Sequence, residues 1–141
     1  MTGRFYKALG VVLVLYSLIY GLLTTVPDLP IIEQSIRNLF YHVSMWFSMV
    51  AMMAGSFGNA IGFLRGENLL KDTRSVSLAE TGMLFAFLGL FTGMMWAKFT
   101  WGAWWTNDPK LNGSAITILI YLAYFVLRNG IEEPRKKARI S

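Results

Sequence analysis

Long apolar blocks, separated by short charged segments, dominate the pattern of hydrophobic and polar positions along the chain. The blocks run at about 8–26, 39–64, 78–97 and 113–128. A helix needs about 20 residues to cross a hydrocarbon core about 30 Å thick, and these blocks have roughly that length. The two-residue alternation of a membrane β-strand is absent. The pattern therefore predicts an all-α polytopic membrane protein with four transmembrane helices in a single domain over 1–141.

The first apolar block follows a short basic flank, as in a signal peptide. It is longer than the apolar core of about 7–15 residues that such peptides usually have. No small-x-small cleavage site follows it, because the chain continues Val26-Pro27-Asp28-Leu29-Pro30. We therefore expect the block to be a retained membrane anchor.

Basic residues are distributed unevenly about the four blocks. One side of a four-span chain holds Arg4, Lys7, Arg65, Lys71, Arg74, Arg128, Arg135, Lys136, Lys137 and Arg139, and the other holds Arg37, Lys98 and Lys110. Cytoplasmic segments carry the excess of lysine and arginine in membrane proteins. Both termini are therefore predicted to lie in the cytoplasm, with the tail at 129–141, while segments 27–38 and 98–112 face outward.

Composition limits the chemistry that this chain can perform. It has no cysteine, which excludes disulfides, thiolate metal sites and thiol nucleophiles from these residues. The sequence also lacks a phosphate-binding glycine-rich loop followed by Lys-Ser/Thr, and it lacks a Ser-His-Asp arrangement. We therefore expect no catalytic residues, and a protein that binds or delivers rather than an enzyme.

All tryptophans fall at or near the outer side in this topology. They are Trp46, Trp96, Trp101, Trp104 and Trp105. An aromatic belt is one explanation, although a belt normally occupies both membrane interfaces. The other is an aromatic surface for a large, flat, apolar ligand, because rings supply contact area at a small cost in entropy.

The outer segment continues from these tryptophans into a turn. Asn107-Asp108-Pro109-Lys110 is typical of turns, since proline fixes its own φ and aspartate bonds locally. We expect Asn112 or Ser114 to cap the fourth helix. The segment 98–112 is thus predicted to be a short folded element on the membrane surface.

The chain has one histidine, His42, at the outer end of the second span. A histidine there can simply bond a carbonyl or water. An ionisable residue at membrane depth is, however, a functional candidate, and imidazole is a common ligand of haem iron. Met45, Trp46 and Met49 share its helical face, which could line a pocket.

Methionines on the second span allow a different chemistry. They are Met45, Met49, Met52 and Met53. Methionine is often a flexible packing residue. Thioethers together with imidazole also suit Cu(I), so handling of a soft metal through His42 is an alternative hypothesis.

The run from Trp101 to Asn112, WGAWWTNDPKLN, resembles the tryptophan-rich WWD signature of the haem-handling superfamily of cytochrome c maturation. The resemblance extends to residues 40–43, 80–82 and 92–98 and covers most of the chain. Among the members, the CcmC type fits better than the CcmF and CcsA types. The family pattern usually has tryptophan where this chain has Asn107. CcmC-type proteins normally have six spans and a second external histidine, so we expect a form truncated after the fourth span.

The resemblance implies a role in the bacterial cytoplasmic (inner) membrane. Haem b would be a transient cargo, presented to a CcmE-like periplasmic chaperone. A CcmAB-like ABC transporter, a small CcmD-like membrane subunit and membrane lipid would be further partners. His42 would be an axial ligand of the haem iron. The haem platform would consist of Trp101, Trp104, Trp105 and Asp108.

Other side chains complete this hypothesis. Trp46 and Trp96 are candidate pocket-lining residues. Arg37, Lys98 and Lys110 are candidates for pairing with the haem propionates. Besides copper handling, the remaining rival is a structural subunit of a membrane assembly complex, in which the tryptophans serve only as anchors.

Overall fold

The computed structural model describes residues 2–27, 30 and 33–140, and every regular element in this part of the chain is helical. The elements are α1 (Thr2–Leu23), a 3₁₀ turn (Glu33–Arg37), α2 (Asn38–Gly66), α3 (Leu69–Trp101), α4 (Pro109–Asn129) and α5 (Pro134–Arg139). Four of them, α1 to α4, are long and apolar enough to cross a membrane. The predicted all-α fold with four spanning helices is confirmed. Asp28, Leu29, Ile31 and Ile32, which belong to the expected outer segment 27–38, lie outside the described residues.

The connection between α2 and α3 is much shorter than the sequence suggests. The polar residues at 65–77 indicated a loop, but only Glu67 and Asn68 lie outside the helices. Glu67 adopts a left-handed φ of 48° and its N–H bonds the Phe63 carbonyl, which ends α2. The Asn68 side chain accepts a hydrogen bond from the Leu70 N–H at 2.9 Å and caps α3. The apolar blocks mark only the residues that suit lipid, and α3 begins in the polar segment before its block because a helix can extend out of the hydrocarbon core.

Small residues recur every three or four positions along α3, and we call this row the small-residue seam. It consists of Ser75, Ala79, Gly82, Ala86, Gly89, Gly93 and Ala97, all buried except the partly buried Gly93. Small residues let two helix backbones approach closely, which is a main source of helix association in lipid. The two-residue connection makes α2 run antiparallel to α3 along this seam.

Larger side chains of α2 fill the space that the seam leaves. Met53 lies against Gly82, Trp46 against Gly89 and His42 against Gly93. A Cβ atom at any of these glycines would lie 2.9 to 3.0 Å from the facing side chain. The seam therefore fixes where Trp46 and His42 lie.

Helix α4 also packs against α3, next to α2. Met83, Ala86 and Ile118 form a buried cluster there. Met49 and Met53 of α2 pack against this cluster, so these methionines serve as core side chains.

The C-terminal end of α1 accepts hydrogen bonds from the 3₁₀ turn and from α2. The Arg37 guanidinium donates to the carbonyls of Gly21 at 3.3 Å, Leu22 at 3.0 Å and Thr24. The Tyr41 hydroxyl donates to the Leu18 carbonyl at 3.0 Å. A cation is favourable at this position because the last carbonyls of a helix have no partner within it.

The tail folds back onto the α2–α3 connection. Arg128 is buried and donates to Asp72 Oδ2 at 2.5 Å and to the Lys137 carbonyl at 2.7 Å. Arg139 and Arg135 lie 2.8 and 3.8 Å from the Glu67 carboxylate. The hydrogen bond and charge of Arg139, followed by the charge of Arg135, lower the pKa of Glu67. The tail thus brings its basic residues to the same end of the bundle as the α2–α3 connection.

The Asp72–Arg128 pair tests how the tail end of the bundle is stabilised. We expect Asp72→Ala to lower the free energy of unfolding by about 3–5 kcal/mol, because Arg128 would stay buried without its carboxylate. Thermal or denaturant unfolding in detergent measures this loss.

The double variant Asp72→Leu/Arg128→Leu is the control for the same pair. It should recover most of the lost stability, since no unpaired charge remains buried. A double variant as unstable as Asp72→Ala would contradict the assignment of the loss to this ion pair.

Candidate functional site

A cavity of about 530 Å³ opens where α3 ends and α4 begins, beside the N-terminal part of α2 that contains His42. This volume is within the range of about 300–1,000 Å³ that small-molecule sites usually have. Its apolar walls include Trp46, Leu90, Trp96, Trp101 and Leu111. Polar groups come from His42, Thr100, Asp108, Lys110 and Ser114. The combination suits a ligand with a large apolar body and a few polar groups.

His42 is held by hydrogen bonds on both ring nitrogens. Nδ1 lies 3.1 Å from Thr92 Oγ1, and the Trp46 indole N–H donates to Nε2 at 3.2 Å. The Thr92 hydroxyl hydrogen is directed at the carbonyls of Leu88 and Gly89, at 2.9 and 3.0 Å. The Thr92 oxygen therefore accepts from Nδ1–H. We assign the neutral tautomer whose lone pair is on Nε2, from this network of donors and acceptors.

This arrangement has the features of a metal-binding imidazole. A histidine that binds a metal usually donates its other ring N–H to an oxygen acceptor, which fixes both tautomer and ring orientation. Thr92 supplies that acceptor to His42. Asn38 ties the same point of α3 to α2, because its side-chain amide donates to the Thr92 carbonyl at 2.8 Å. The His42 ring, with its lone pair on Nε2, is thus held by Thr92, which is itself bonded to Asn38.

Two indole rings enclose the imidazole. The centroid of the His42 ring is 6.1 Å from that of Trp46 and 5.9 Å from that of Trp96, with interplanar angles of 76° and 82°. Such edge-to-face contacts are favourable for aromatic rings. They leave His42 in mostly apolar surroundings at the wall of the cavity.

The segment from Gly102 to Asp108 connects α3 to α4 beside the cavity. Gly102 has a φ of 79°, and its N–H bonds the Lys98 carbonyl at 3.0 Å, which ends α3. Asp108 Oδ1 accepts from the N–H groups of Lys110 at 2.8 Å and Leu111 at 3.2 Å. Asp108 is thus the N-cap of α4, with Pro109 at the first helical position.

The prediction that Asn112 or Ser114 caps α4 is therefore wrong. Asp108 already accepts from the first free N–H groups of the helix, and proline at the next position has no N–H that would need an acceptor. Asn112 instead donates to Asn107 Oδ1 at 2.9 Å, and the Ser114 hydroxyl donates to the Lys110 carbonyl at 2.7 Å.

Most residues singled out in the sequence converge on the cavity. His42, Trp46, Trp96, Trp101 and Asp108 all line it. Trp104 and Trp105 lie in the neighbouring Gly102–Asp108 segment, 50% and 45% exposed, and are not part of the lining. The structure thus separates the tryptophans into a lining group and an exposed pair.

The three basic candidates for binding an acidic group differ in their surroundings. Arg37 bonds the end of α1, and Lys98 Nζ donates to the Gly102 carbonyl at 2.8 Å. Lys110 lines the cavity. Of these cations, Lys110 is the one whose position suits an acidic group of a bound ligand.

Sequence reasoning missed two threonines of this site. Thr92 orients His42, and Thr100 lines the cavity with a buried hydroxyl that has no hydrogen-bond partner within the described residues. A buried hydroxyl without a partner is costly, so Thr100 is available to a polar group of a ligand. Its position one turn after Trp96 was the signal in the sequence.

The methionines of the copper hypothesis are placed elsewhere. Met49 and Met53 pack against the core cluster, and none of the span-two methionines is part of the cavity lining. Within residues 2–27, 30 and 33–140, no group of three or more His, Asp or Glu side chains could hold a metal ion.

A family model and individual relatives of this chain point to the same family. Residues 2–141 match the family described as CcmC, Heme exporter protein C. The Heme exporter protein C of Bradyrhizobium diazoefficiens is 31% identical over 106 residues, which is 74% of this chain and 40% of the relative.

Two further relatives show the range of the similarity. The Heme exporter protein C of Paracoccus denitrificans is 25% identical over 125 residues, 89% of this chain and 51% of the relative. The cytochrome c biogenesis protein CcsA of Prochlorococcus marinus strain MIT 9515 is 40% identical over 73 residues, 52% of this chain and 23% of the relative. The matched part spans about half or less of the length of these curated relatives.

Gly93 tests whether the seam positions His42. A Cβ at Gly93 would lie 2.9 Å from His42 Cε1, so we expect Gly93→Ala to displace the imidazole and lower the free energy of unfolding by about 1–3 kcal/mol. Gly58→Ala is the matched control, because nothing lies within 4 Å of a Cβ there. It should be neutral or slightly stabilising. Equal stability of the two variants in detergent would contradict the close packing of His42 on α3.

Proposed function

Because the chain belongs to the Heme exporter protein C family, we propose that it binds haem b as a transient cargo and delivers it for maturation of c-type cytochromes. The observation that carries the proposal is His42 at the wall of a cavity lined by Trp46, Trp96 and Trp101, with its Nδ1–H held by Thr92 and its lone pair on Nε2. Neutral imidazole is a common axial ligand of haem iron.

The side chains of the cavity fit the shape and chemistry of haem. Haem is a flat apolar ring that carries iron at its centre and two propionates at one edge. Indole rings provide matching apolar surface. Lys110 and Thr100 line the same cavity and would hold a propionate by charge and hydrogen bonding. His42 would hold the iron, with Thr92 keeping its ring in place.

The exposed segment beside the cavity would complete the haem platform. Trp104 and Trp105 are about half exposed and lie on the segment that begins after Trp101. We propose that they cover the outer face of the ring together with Trp101. Asp108 would act through structure, because its capping of α4 fixes the end of the segment.

The proposed work of this chain is binding and delivery, without a catalytic step of its own. Its residues would orient the haem, shield it from water and release it to a CcmE-like chaperone. A CcmAB-like ABC transporter and a small CcmD-like subunit would be further partners. Any covalent attachment of haem would use the chemistry of the cargo and of the receiving protein.

We propose that the cavity faces the outside of the bacterial inner membrane and that both termini lie in the cytoplasm. The docking of the tail supports this orientation, because Arg139 bonds Glu67 in the α2–α3 connection. The basic residues of both segments therefore gather at one end of the bundle, while His42 lies toward the other end of α2. Lipid would cover the exposed apolar side chains of α1 and α4.

Haem titration of the purified protein tests the proposed function. We expect wild-type protein to give a Soret band typical of histidine-ligated haem, and His42→Ala to bind haem at least about tenfold more weakly, the equivalent of about 1.4 kcal/mol. Ser44→Ala is the control on the same helix, since Ser44 is exposed and its hydroxyl donates to the Phe40 carbonyl of the same helix. Equal affinity and spectra for wild type and His42→Ala, or no binding by wild type, would contradict the proposal.

Labelling of single introduced cysteines tests the orientation. The chain has no cysteine of its own, so Asn107→Cys and Lys136→Cys each give a unique thiol at an exposed position. A membrane-impermeant maleimide should label position 107 in intact spheroplasts and position 136 only after lysis. The reverse order would place the cavity on the cytoplasmic side.

A further inference from the structure

Trp46 forms a hydrogen bond with His42 Nε2, the nitrogen that would have to bind iron. Its indole N–H donates to His42 Nε2 at 3.2 Å, while Nδ1–H is engaged by Thr92. An imidazole nitrogen has a single lone pair, so it cannot accept this hydrogen bond and bind iron at the same time. Haem can therefore reach His42 only if the indole moves.

We propose that Trp46 is a displaceable cap on the haem-binding nitrogen of His42, a positioning residue that makes the bound haem easier to release. This inference rests on the proposed function and adds a role that the resemblance to known proteins does not assign. When haem binds, the hydrogen bond breaks and an iron–nitrogen bond forms. The indole keeps its proton, and no electron is transferred.

The capped arrangement is built into the two helices. Trp46 lies one turn after His42 on α2, where residues four apart share a face. The Trp46 ring lies against Gly89, where a Cβ would be 3.0 Å from Trp46 Cε2. Glycine at this position therefore makes room for the indole in the orientation that reaches Nε2.

The cap changes the balance between bound and free haem. Without it, the Nε2 lone pair of the empty site would be left in apolar surroundings with no donor, a state that costs free energy. With the cap in place, Nε2 already accepts a hydrogen bond in the empty site, so haem binding is more weakly favoured. A neutral hydrogen bond of this kind shifts the affinity by about two- to tenfold. Lower retention suits a site that must give up its cargo.

Comparing two porphyrins isolates the effect on the iron bond. Haem needs the Nε2 lone pair, whereas metal-free protoporphyrin IX fills the same cavity without an axial ligand. We expect Trp46→Phe to raise the affinity for haem relative to metal-free protoporphyrin by about two- to tenfold. The ratio removes any general loss of ring contact or of stability.

Trp96→Phe is the matched control for this comparison. The Trp96 and His42 ring centroids are 5.9 Å apart, and among the described residues no hydrogen bond joins the two side chains. The variant should change the affinities for both porphyrins by the same factor. A ratio that stays at the wild-type value in Trp46→Phe would overturn the cap.

Nitrogen NMR of the empty protein gives a test that needs no haem. The chain has one histidine, so ¹⁵N-histidine labelling reports only the two ring nitrogens of His42. We expect wild type to carry its proton on Nδ1, and the Nε2 resonance to move toward that of an unbonded imine nitrogen in Trp46→Phe but not in Trp96→Phe. A wild-type Nε2 that carries a proton, or the same Nε2 resonance in wild type and Trp46→Phe, would overturn the proposal.

The two tests separate this inference from the function beneath it. If wild-type protein binds neither porphyrin, the proposed function fails, and the NMR result still decides whether Trp46 caps His42. If haem binds through His42 but Trp46→Phe changes neither the affinity ratio nor the Nε2 resonance, the function stands and the cap is wrong.

Discussion

The close approach of α2 to α3 along the small-residue seam is the constraint on which the rest of the structure depends. Lipid tails are as apolar as leucine, so packing and hydrogen bonds, rather than the hydrophobic effect, hold helices together in a membrane. The seam brings α2 near enough for Ser56 to bond Ser75 at 3.0 Å and for His42 to bond Thr92 at 3.1 Å. The same register places the Trp46 and His42 rings directly on glycines. Stability and the candidate haem site thus arise from one interface.

The two ends of the α2–α3 pair differ in how they are held. At one end, the buried Asp72–Arg128 ion pair joins α3 to α4, and Arg139 of the tail bonds Glu67 in the two-residue connection. At the other, α3 leads into an exposed tryptophan segment that is anchored by Asp108 at the start of α4. An end closed by ion pairs and an end that opens into a cavity would suit the proposed binding and release of a large ligand.

Much of this organisation could be predicted from the sequence because it follows from local patterns. Apolar block length gave the four helices, and the spacing of His42 and Trp46 placed them on one face. The partner that fixes the tautomer, Thr92, is 50 residues away, so finding it requires the register of α2 on α3. Composition alone could not separate the lining Trp101 from the exposed Trp104 and Trp105, because that division depends on where α3 ends.

Hyperfine spectroscopy of the haem complex tests the central claim most directly, because it detects the iron–histidine bond without a substitution. The chain has one histidine, so ¹⁵N-histidine labelling marks His42 alone. Ferric haem bound to the labelled protein should show the strong ¹⁵N coupling of a directly bonded axial nitrogen. Haem that binds in the cavity without any histidine ¹⁵N coupling would contradict the account, since the seam would then position His42 for some purpose other than holding iron.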